Sequence, residues 1–254
     1  MYSRSFENRY NNCLRRQPVQ RVLEPEVMDS WEEAVGYDAM DFMEVNTAFA
    51  QRVIELGPPF SARVLDAGTG SARIPVLLCQ MRHGKSFAES SDPMRSDLWQ
   101  VFGIDLAKNM LQIGSQHVEQ AGLQQQIVLE LVDAKHLPYQ DGHFEMVVSN
   151  SLVHHLPEPL PFFLEVSRVL KPNGAILIRD LIRPPDQETI NDLVESIGAE
   201  YDTRQKQLFR DSLHAALTLD EVNCVIEQSG LQGVMVYQSS ERHWTAERPW
   251  SQES

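Results

Sequence analysis

The sequence has few cysteines and no long apolar run. Its 254 residues include only three cysteines, at the widely separated positions Cys13, Cys79 and Cys224. This odd number, with no Cys-x-x-Cys pair, argues against a disulfide framework and favours a reducing compartment. No apolar stretch approaches the roughly 18 residues of a membrane span, and the first residues lack the apolar core of a secretory signal. We therefore expect a soluble, cytoplasmic protein with no membrane partner.

Basic residues are also scarce. The formal net charge is -14 and the sequence pI is near 5.0, whereas proteins that bind a phosphate backbone normally present a basic face. A nucleic-acid partner is therefore not expected. The hydrophobic content of 42% is enough for one sizeable α/β core with added elements. Nothing in the sequence indicates the oligomeric state.

The chain begins with a segment that has no clear periodicity. Residues 1–29 carry arginines among Asn and Gln, and we expect them to form a mobile arm. Ser30 and Glu33 then fit a capping box, so residues 30–59 predict two helices before the first core strand. These helices either cover the sheet or form a lid, and Tyr37 is either a packing residue or part of a pocket.

A glycine-rich turn follows the first core strand. The apolar run at 64–67 contains Asp66 and leads directly into Gly68, Thr69 and Gly70. Glycines permit left-handed backbone and a close approach to a ligand, and the helix after the turn directs unpaired N–H groups to the same place. The turn therefore predicts a nucleotide-type pocket, although Ala72 stands where a dinucleotide fingerprint would have its third glycine.

Further strands alternate with helices, and their ends carry polar residues. The predicted strands cover 100–105, 127–132, 144–150 and 175–180, and the polar residues at or just after their ends are Asp105, Asp133, Asn150 and Asp180. This alternation predicts an α/β fold with a doubly wound parallel sheet and a site along one edge. Residues 82–98 lose the helical pattern and predict a surface loop.

The last quarter interrupts the alternation. Residues 186–216 predict a helical insert over the substrate side, in which Tyr201, Arg204 and Arg210 would close over a ligand. Two strands at 234–237 and 241–245 then predict a hairpin at the far end of the sheet. We thus expect one main domain over residues 60–250, with helical additions at its N-terminus and before the sixth strand.

Several motifs occur in an order that resembles the class I S-adenosylmethionine-dependent methyltransferases, of the type that acts on small molecules. They are Val-Leu-Asp-Ala-Gly-Thr-Gly at 64–70, Gly-Ile-Asp at 103–105, Asp133-Ala134, Ser-Asn-Ser-Leu-Val-His-His-Leu at 149–156 and Arg-Val-Leu-Lys-Pro-Asn-Gly at 168–174. The resemblance covers about residues 37–246. It implies a seven-stranded, mostly parallel Rossmann-like sheet whose last strand is antiparallel, with S-adenosylmethionine as cofactor.

The same resemblance implies roles for individual residues. Gly68 and Gly70 would approach the amino-acid part of the cofactor, with Thr69 between them and Asp66 orienting the turn. The remaining expected contacts are Asp105 to the ribose hydroxyls, Leu106 and Met110 beside the adenine, Asp133 and Ala134 to the adenine edge, and Asn150 near the methionine part. From the residues alone, Asp105 could instead cap the next helix.

Catalytic residues are harder to predict, because methyl transfer depends mainly on positioning the acceptor and excluding water. His154 is a candidate general base, or it shapes the loop together with His155. Asp180 and Arg183 are expected at the other lip of the cleft, where Arg183 would either bind an anionic group or pair with Asp180. The other histidines show no ligand spacing around this pair, so no metal site is predicted.

The preferred hypothesis is an enzyme that methylates a small molecule by in-line displacement. Two alternatives remain open. One is a methyltransferase that acts on protein or RNA, and the other is a regulatory or scaffold protein that binds the cofactor without turnover.

Overall fold

The described part of the chain forms a seven-stranded sheet with helices on both faces. The computed structural model describes residues 19–24, 30–89, 98–198 and 201–251. The strands are β1 (Arg63–Ala67), β2 (Gln100–Asp105), β3 (Ile127–Leu131), β4 (Phe144–Asn150), β5 (Leu170–Leu181), β6 (Met235–Gln238) and β7 (His243–Arg248). The helices are α1 (Trp31–Asp38), α2 (Met43–Glu55), α3 (Arg73–Glu89), α4 (Lys108–Gln120), α5 (Leu160–Val169), α6 (Gln187–Ser196), α7 (Thr203–Ala215) and α8 (Leu219–Gln228), with a 3-10 turn at Val153–His155.

The strand order is β3-β2-β1-β4-β5-β7-β6. Strands β3, β2, β1, β4 and β5 pair in parallel. Strand β7 lies between β5 and β6 and is antiparallel to both, so it alone runs against the other six. The doubly wound fold with an antiparallel last strand is thus confirmed. The order reverses at β1, and the carboxyl ends of β1 and β4 therefore open a crevice between them.

Alternate side chains of the central strands supply two separate cores. Val64 and Met146 face one side, where they pack with α2, α3 and α4. Leu65 and Val147 face the other side, with α5 and α8. All four side chains are fully buried, as expected for parallel strands covered on both faces.

Two helices precede the first strand, as the capping pattern predicts. The Ser30 hydroxyl accepts the Glu33 amide hydrogen at the start of α1, and Ala34 of that helix packs onto Met110 of α4. Arg73 at the start of α3 donates to the Asp38 carboxylate over 3.0 Å. These contacts hold α1 over the turn that follows β1.

Two expectations about local structure are wrong. Helix α3 continues to Glu89, so the first part of the expected loop 82–98 is helical, while residues 90–97 lie outside the described residues. Strand β5 begins directly after α5, and its pairing with β4 skips from Leu170 to Ala175. The strand thus begins five residues before the predicted strand at 175–180, and residues 171–174 form an irregularity within it.

The expected mobile arm is only partly described, because residues 1–18 and 25–29 lie outside the described residues. Residues 19–24 are fixed by contacts: the Val22 amide donates to the His214 carbonyl over 3.1 Å, and Arg21 donates to the Ala215 carbonyl over 2.7 Å. The insert at 186–216 contains α6 and α7, as predicted. Within the described segments, no helix has the length and apolar character needed to cross a membrane.

Candidate active site

A cleft lies at the carboxyl ends of β1, β2, β3 and β4. It is open to solvent, and its empty space including the open mouth is about 820 Å³. Its walls contain Tyr37, Gly68, Gly70, Ile104, Asp105, Leu106, Ala107, Met110, Val132, Asp133, Ala134, Lys135, Asn150, Ser151, Leu152, His155 and Leu156. Nine of the eleven expected cofactor residues are in this set, the exceptions being Asp66 and Thr69.

The turn after β1 brings bare backbone to the cleft. Gly68 has φ +75° and Gly70 has φ +53°, in the left-handed region that favours glycine. A Cβ on Gly68 would lie 2.9 Å from the Cβ of Leu152, so any other residue would push into the opposite wall. A Cβ on Gly70 would meet no atom within 4 Å, which leaves open space beside that peptide.

Asp66 and Thr69 form the support behind this turn. The Thr69 hydroxyl donates to Asp66 Oδ2 over 2.7 Å, while Asp66 Oδ1 is buried without a hydrogen-bond partner. Burial raises the pKa of Asp66 to about 7, against the opposing effect of the Thr69 hydrogen bond. Thr69 itself points toward β2, where a Cβ on Gly103 would come within 2.7 Å of its Oγ1.

Asp105 connects the turn to the end of β2. Its Oδ2 accepts the Gly70 amide hydrogen and its Oδ1 accepts the Ala107 amide hydrogen, each over 2.8 Å. Burial raises the pKa of Asp105 although these hydrogen bonds oppose that shift. Each carboxylate oxygen keeps a further lone pair, so the residue caps the following segment and can still accept from a ligand in the cleft.

The far end of the cleft carries Asp133 and a lysine that the sequence analysis missed. Asp133 Oδ1 accepts the Lys135 amide hydrogen over 2.9 Å and lies 3.1 Å from the Lys135 ammonium. Burial would raise the pKa of Asp133, but Lys135 outweighs it and holds that pKa below its usual range. This carboxylate is therefore ionised at neutral pH and available as an acceptor beside Ala134.

Helix α1 and the start of α4 form a more apolar wall. Tyr37 lines the cleft and packs with Ala107 and Met110, so the two alternatives for this tyrosine, pocket and packing, are both realised. Leu106 keeps 36% of its surface exposed although it lines the cleft. Asp41, a few residues beyond Tyr37, lines a neighbouring depression beside Arg73.

Asn150 closes the end of β4. Its side-chain oxygen accepts from Arg179 Nε over 3.0 Å, and the same guanidinium lies 5.2 Å from the centre of the Phe49 ring. Burial lowers the pKa of Arg179. Arg179 was not predicted as a site residue, because its place in the alternating pattern of β5 is that of an ordinary strand residue.

His154 lies behind the cleft wall and is locked to Asp180. Its Nδ1 is 2.5 Å from Asp180 Oδ1, and Asp180 also accepts backbone hydrogens from Val153 over 2.5 Å and from Leu181 over 2.6 Å. Burial opposes protonation of His154, but the Asp180 charge outweighs it and raises the pKa of the imidazole. Both side chains are almost fully buried, and neither is among the residues that line the cleft.

The neighbouring His155 does line the cleft. Its ring lies tilted against that of His154 at a centroid separation of 4.1 Å, and its Nδ1 lies 2.9 Å from Glu24 Oε1. Glu24 comes from the segment at 19–24, which the sequence predicted to be mobile. The contact between Glu24 and His155 could not be predicted from the sequence, because no periodicity or motif marks that segment.

Arg183 is not at the lip of this cleft. Its Nη2 donates to Glu221 over 2.6 Å and its Nη1 to the Ala216 carbonyl over 3.1 Å. It therefore pairs with Glu221 rather than with Asp180, and it lines a different depression. Among the insert residues, Arg204 contacts Glu33 of α1 over 3.2 Å, and Arg210 contacts Asn191. Arg204 thus links α7 to the helix that carries Tyr37.

Comparison with known proteins agrees with this architecture. Residues 65–178 match the protein family described as "Methyltransferase domain". A 27-O-demethylrifamycin SV methyltransferase of Amycolatopsis mediterranei is 25% identical over 170 residues, which are 67% of this chain and 54% of that protein. A ubiquinone biosynthesis O-methyltransferase of Dinoroseobacter shibae is 27% identical over 192 residues, covering 74% of this chain and 68% of that protein.

Solved structures share the fold. A putative S-adenosyl-L-methionine-dependent methyltransferase from Methanococcus maripaludis superposes with a TM-score of 0.66 at 16% identity, covering 91% of this chain and 99% of that one. The matched residues span between 44% and 68% of the length of four curated relatives. The family match places a methyltransferase domain within residues 65–178, and the strand order and the glycine turn agree with the fold of class I S-adenosylmethionine-dependent methyltransferases.

Proposed function

We propose that this chain transfers the methyl group of S-adenosylmethionine to a small-molecule acceptor by in-line displacement. The observation that carries the proposal is the cleft itself, where the glycine turn, Asp105 and Asp133 line one continuous wall. The cofactor supplies an electrophilic methyl group on a sulfonium. The protein's part is to position that group against the acceptor and to exclude water.

The residues present fit such a cofactor. The open space beside the Gly70 peptide and the absence of a side chain on Gly68 leave room for a ligand against the backbone. Asp105 would accept the ribose hydroxyls, and the ionised Asp133 would accept from the adenine amino group.

Further along the same wall, Ala134 would meet the adenine edge. Leu106 and Met110 would flank the adenine, and Tyr37 would cover the cofactor from α1. Asn150, which Arg179 fixes, would face the methionine part. Thr69 and Asp66 would support the turn from behind, since Thr69 does not line the cleft.

A small acceptor agrees with the charge of the protein and with its relatives. The net charge of -14 opposes binding of RNA, and the names of two relatives refer to rifamycin and to ubiquinone biosynthesis. Helices α6 and α7 with α1 would form the cover over the acceptor, and the contact between Arg204 and Glu33 supports that arrangement. Protein or RNA as acceptor is the alternative within the same chemistry.

Of the histidines, His155 is better placed than His154 to meet an acceptor, because only His155 belongs to the cleft wall. His154 and Asp180 are buried and hydrogen-bonded to each other, which supports a positioning role for both. Arg183 has no part in the proposed reaction, since it is paired with Glu221. We therefore propose His155, rather than His154, Asp180 or Arg183, as the residue that meets the acceptor.

Calorimetry with S-adenosylmethionine and with its demethylated product tests cofactor binding first. We expect both to bind with one site per chain, and absence of binding by either would contradict the proposal. Incubation with methyl-labelled cofactor and fractionated cell extract then identifies the acceptor class, with label expected in the small-molecule fraction. Label in protein or RNA would favour the alternative acceptor, and binding without any transfer would favour a regulatory protein.

A further inference from the structure

A carboxylate and two imidazoles converge beside the cleft, outside the proposed cofactor contacts. The cluster consists of Glu24, His154 and His155, each of which offers one ligand atom, and these atoms all lie within 4.8 Å of one another. Glu24 Oε1 is 2.9 Å from His155 Nδ1 and 3.4 Å from His154 Nε2. The carboxylate oxygen therefore lies close to both ring nitrogens.

The nitrogen atoms of this cluster are not fully satisfied by hydrogen bonds. His155 Nδ1 is buried and has no hydrogen-bond partner with adequate geometry. His154 Nδ1 lies against the Asp180 carboxylate, which can only accept, so a neutral His154 carries its lone pair on Nε2. That lone pair faces Glu24 Oε1, and two acceptors that face each other in a buried site need a positive charge between them.

We infer that Glu24, His154 and His155 bind a divalent first-row transition-metal ion of the zinc type. Zn²⁺ ligands of this kind lie at about 2.0–2.2 Å, so neighbouring ligand atoms around a tetrahedral ion are about 3.3 Å apart. The two contacts of Glu24, at 2.9 and 3.4 Å, are close to that spacing. Two imidazoles with one carboxylate also leave a coordination position free.

Asp180 accepts the second ring N–H of His154, as a carboxylate usually does for a metal-bound histidine. A metal-bound imidazole generally donates its other N–H to a carboxylate, which fixes the ring and raises its basicity. Asp180 does this for His154 over 2.5 Å, and its own remaining acceptor sites are used by backbone hydrogens of Val153 and Leu181. The carboxylate is therefore held rigidly behind the ligand.

The site borders the cleft through His155. Glu24 is oriented by the Ser212 hydroxyl, which lies 3.2 and 3.3 Å from its two oxygens, so α7 of the helical insert also contributes to the site. The ion would thus join the segment at 19–24, the histidine turn and the insert. Binding of the metal does not depend on methyl transfer, and its test contains no cofactor.

The experiment is a calorimetric titration of the chelator-treated full chain with Zn²⁺. We expect one ion per wild-type chain, an affinity at least about tenfold lower for Glu24→Gln and His155→Gln, and wild-type affinity for Glu158→Gln. Glu158 is a matched control because it is an exposed glutamate three residues beyond His155. Absence of stoichiometric binding, or equal binding by the wild type and both ligand variants, would overturn the assignment.

Thermal unfolding of the same proteins separates loss of the site from loss of the fold. Zn²⁺ is expected to raise the melting temperature of the wild type and of Glu158→Gln, and a chelator to reverse the shift, because a ligand that binds only the folded state stabilises it. Glu24→Gln and His155→Gln should melt cooperatively and show no such shift. A wild type whose melting temperature is the same with Zn²⁺ and with chelator would mean that only a proton occupies the cluster.

Discussion

At the scale of single residues, Asp105 has a structural role and a proposed binding role. Its two oxygens accept the Gly70 and Ala107 amide hydrogens and would also accept the ribose hydroxyls. We predict that Asp105→Ala weakens S-adenosylmethionine binding by about 1–3 kcal/mol, since buried hydroxyls would lose their partner. Calorimetry measures this loss, with Asp220→Ala, an exposed change on α8, as control. Equal affinity in the two variants would contradict the assigned role.

Asp66 makes the stability of the protein depend on pH. Burial raises its pKa from 3.8 to about 7, so the folded state holds a proton that the unfolded state has released. The stabilisation is complete below pH 3.8 and is lost as pH rises to about 7. We predict that the wild type loses stability relative to Asp66→Asn across this window, by at most about 1.4 kcal/mol per pH unit.

Urea unfolding of the two proteins at a series of pH values measures this difference. The asparagine oxygen can still accept the Thr69 hydroxyl, so the comparison isolates the charge. Parallel stability curves for the wild type and Asp66→Asn would show that the carboxyl keeps an ordinary pKa in the folded protein.

At the scale of elements, the turn between β1 and α3 depends on glycine for two separate reasons. Gly68 has a left-handed backbone, and a Cβ there would meet Leu152 at 2.9 Å. Gly142 shares the left-handed backbone but has open space around it. Alanine at either position should cost about 1–2 kcal/mol of stability from the backbone alone.

We predict that Gly68→Ala also lowers cofactor affinity at least about tenfold, because the displaced Leu152 wall belongs to the cleft, whereas Gly142→Ala leaves affinity unchanged. Denaturation and calorimetry on both variants separate the two effects. Equal cofactor affinity in the two proteins would mean that the turn tolerates the added methyl group.

The elements differ in how far the sequence predicts them. The glycine turn and the strand ends are local patterns, and they correctly bring Asp105, Asp133 and Asn150 to one cleft. The position of Arg183 could not be predicted in this way, because the direction of a side chain after a strand depends on its partner, here Glu221. The C-terminal limit of α3 was missed because the sequence from 82 to 89 has no clear apolar period.

The same reasoning explains why Glu24 escaped prediction. It contacts His154 and His155 across a large separation in sequence, and the segment around it has no periodicity. Long-range polar contacts of this kind follow from tertiary packing and leave no local signal.

At the scale of the whole molecule, Arg21 joins three parts of the structure. Its guanidinium donates to the carbonyls of Ala215, Pro157 and Leu156 over 2.7, 3.0 and 2.7 Å, and so ties the N-terminal segment to α7 and to the histidine turn. These contacts anchor the insert, which would cover the acceptor, to the side of the cleft where His155 lies. The N–H donors of the planar Arg21 guanidinium thus hold the insert in place, in addition to apolar packing.

We predict that Arg21→Lys lowers the free energy of unfolding by about 2–3 kcal/mol, because a lysine ammonium cannot reach three carbonyls in this geometry and leaves acceptors unpaired. Arg204→Lys is the matched control: Arg204 makes an exposed ion pair with Glu33, and such pairs contribute under about 1 kcal/mol. Urea denaturation measures both changes. Equal losses in the two variants would mean that the segment at 19–24 is not an integral part of the fold.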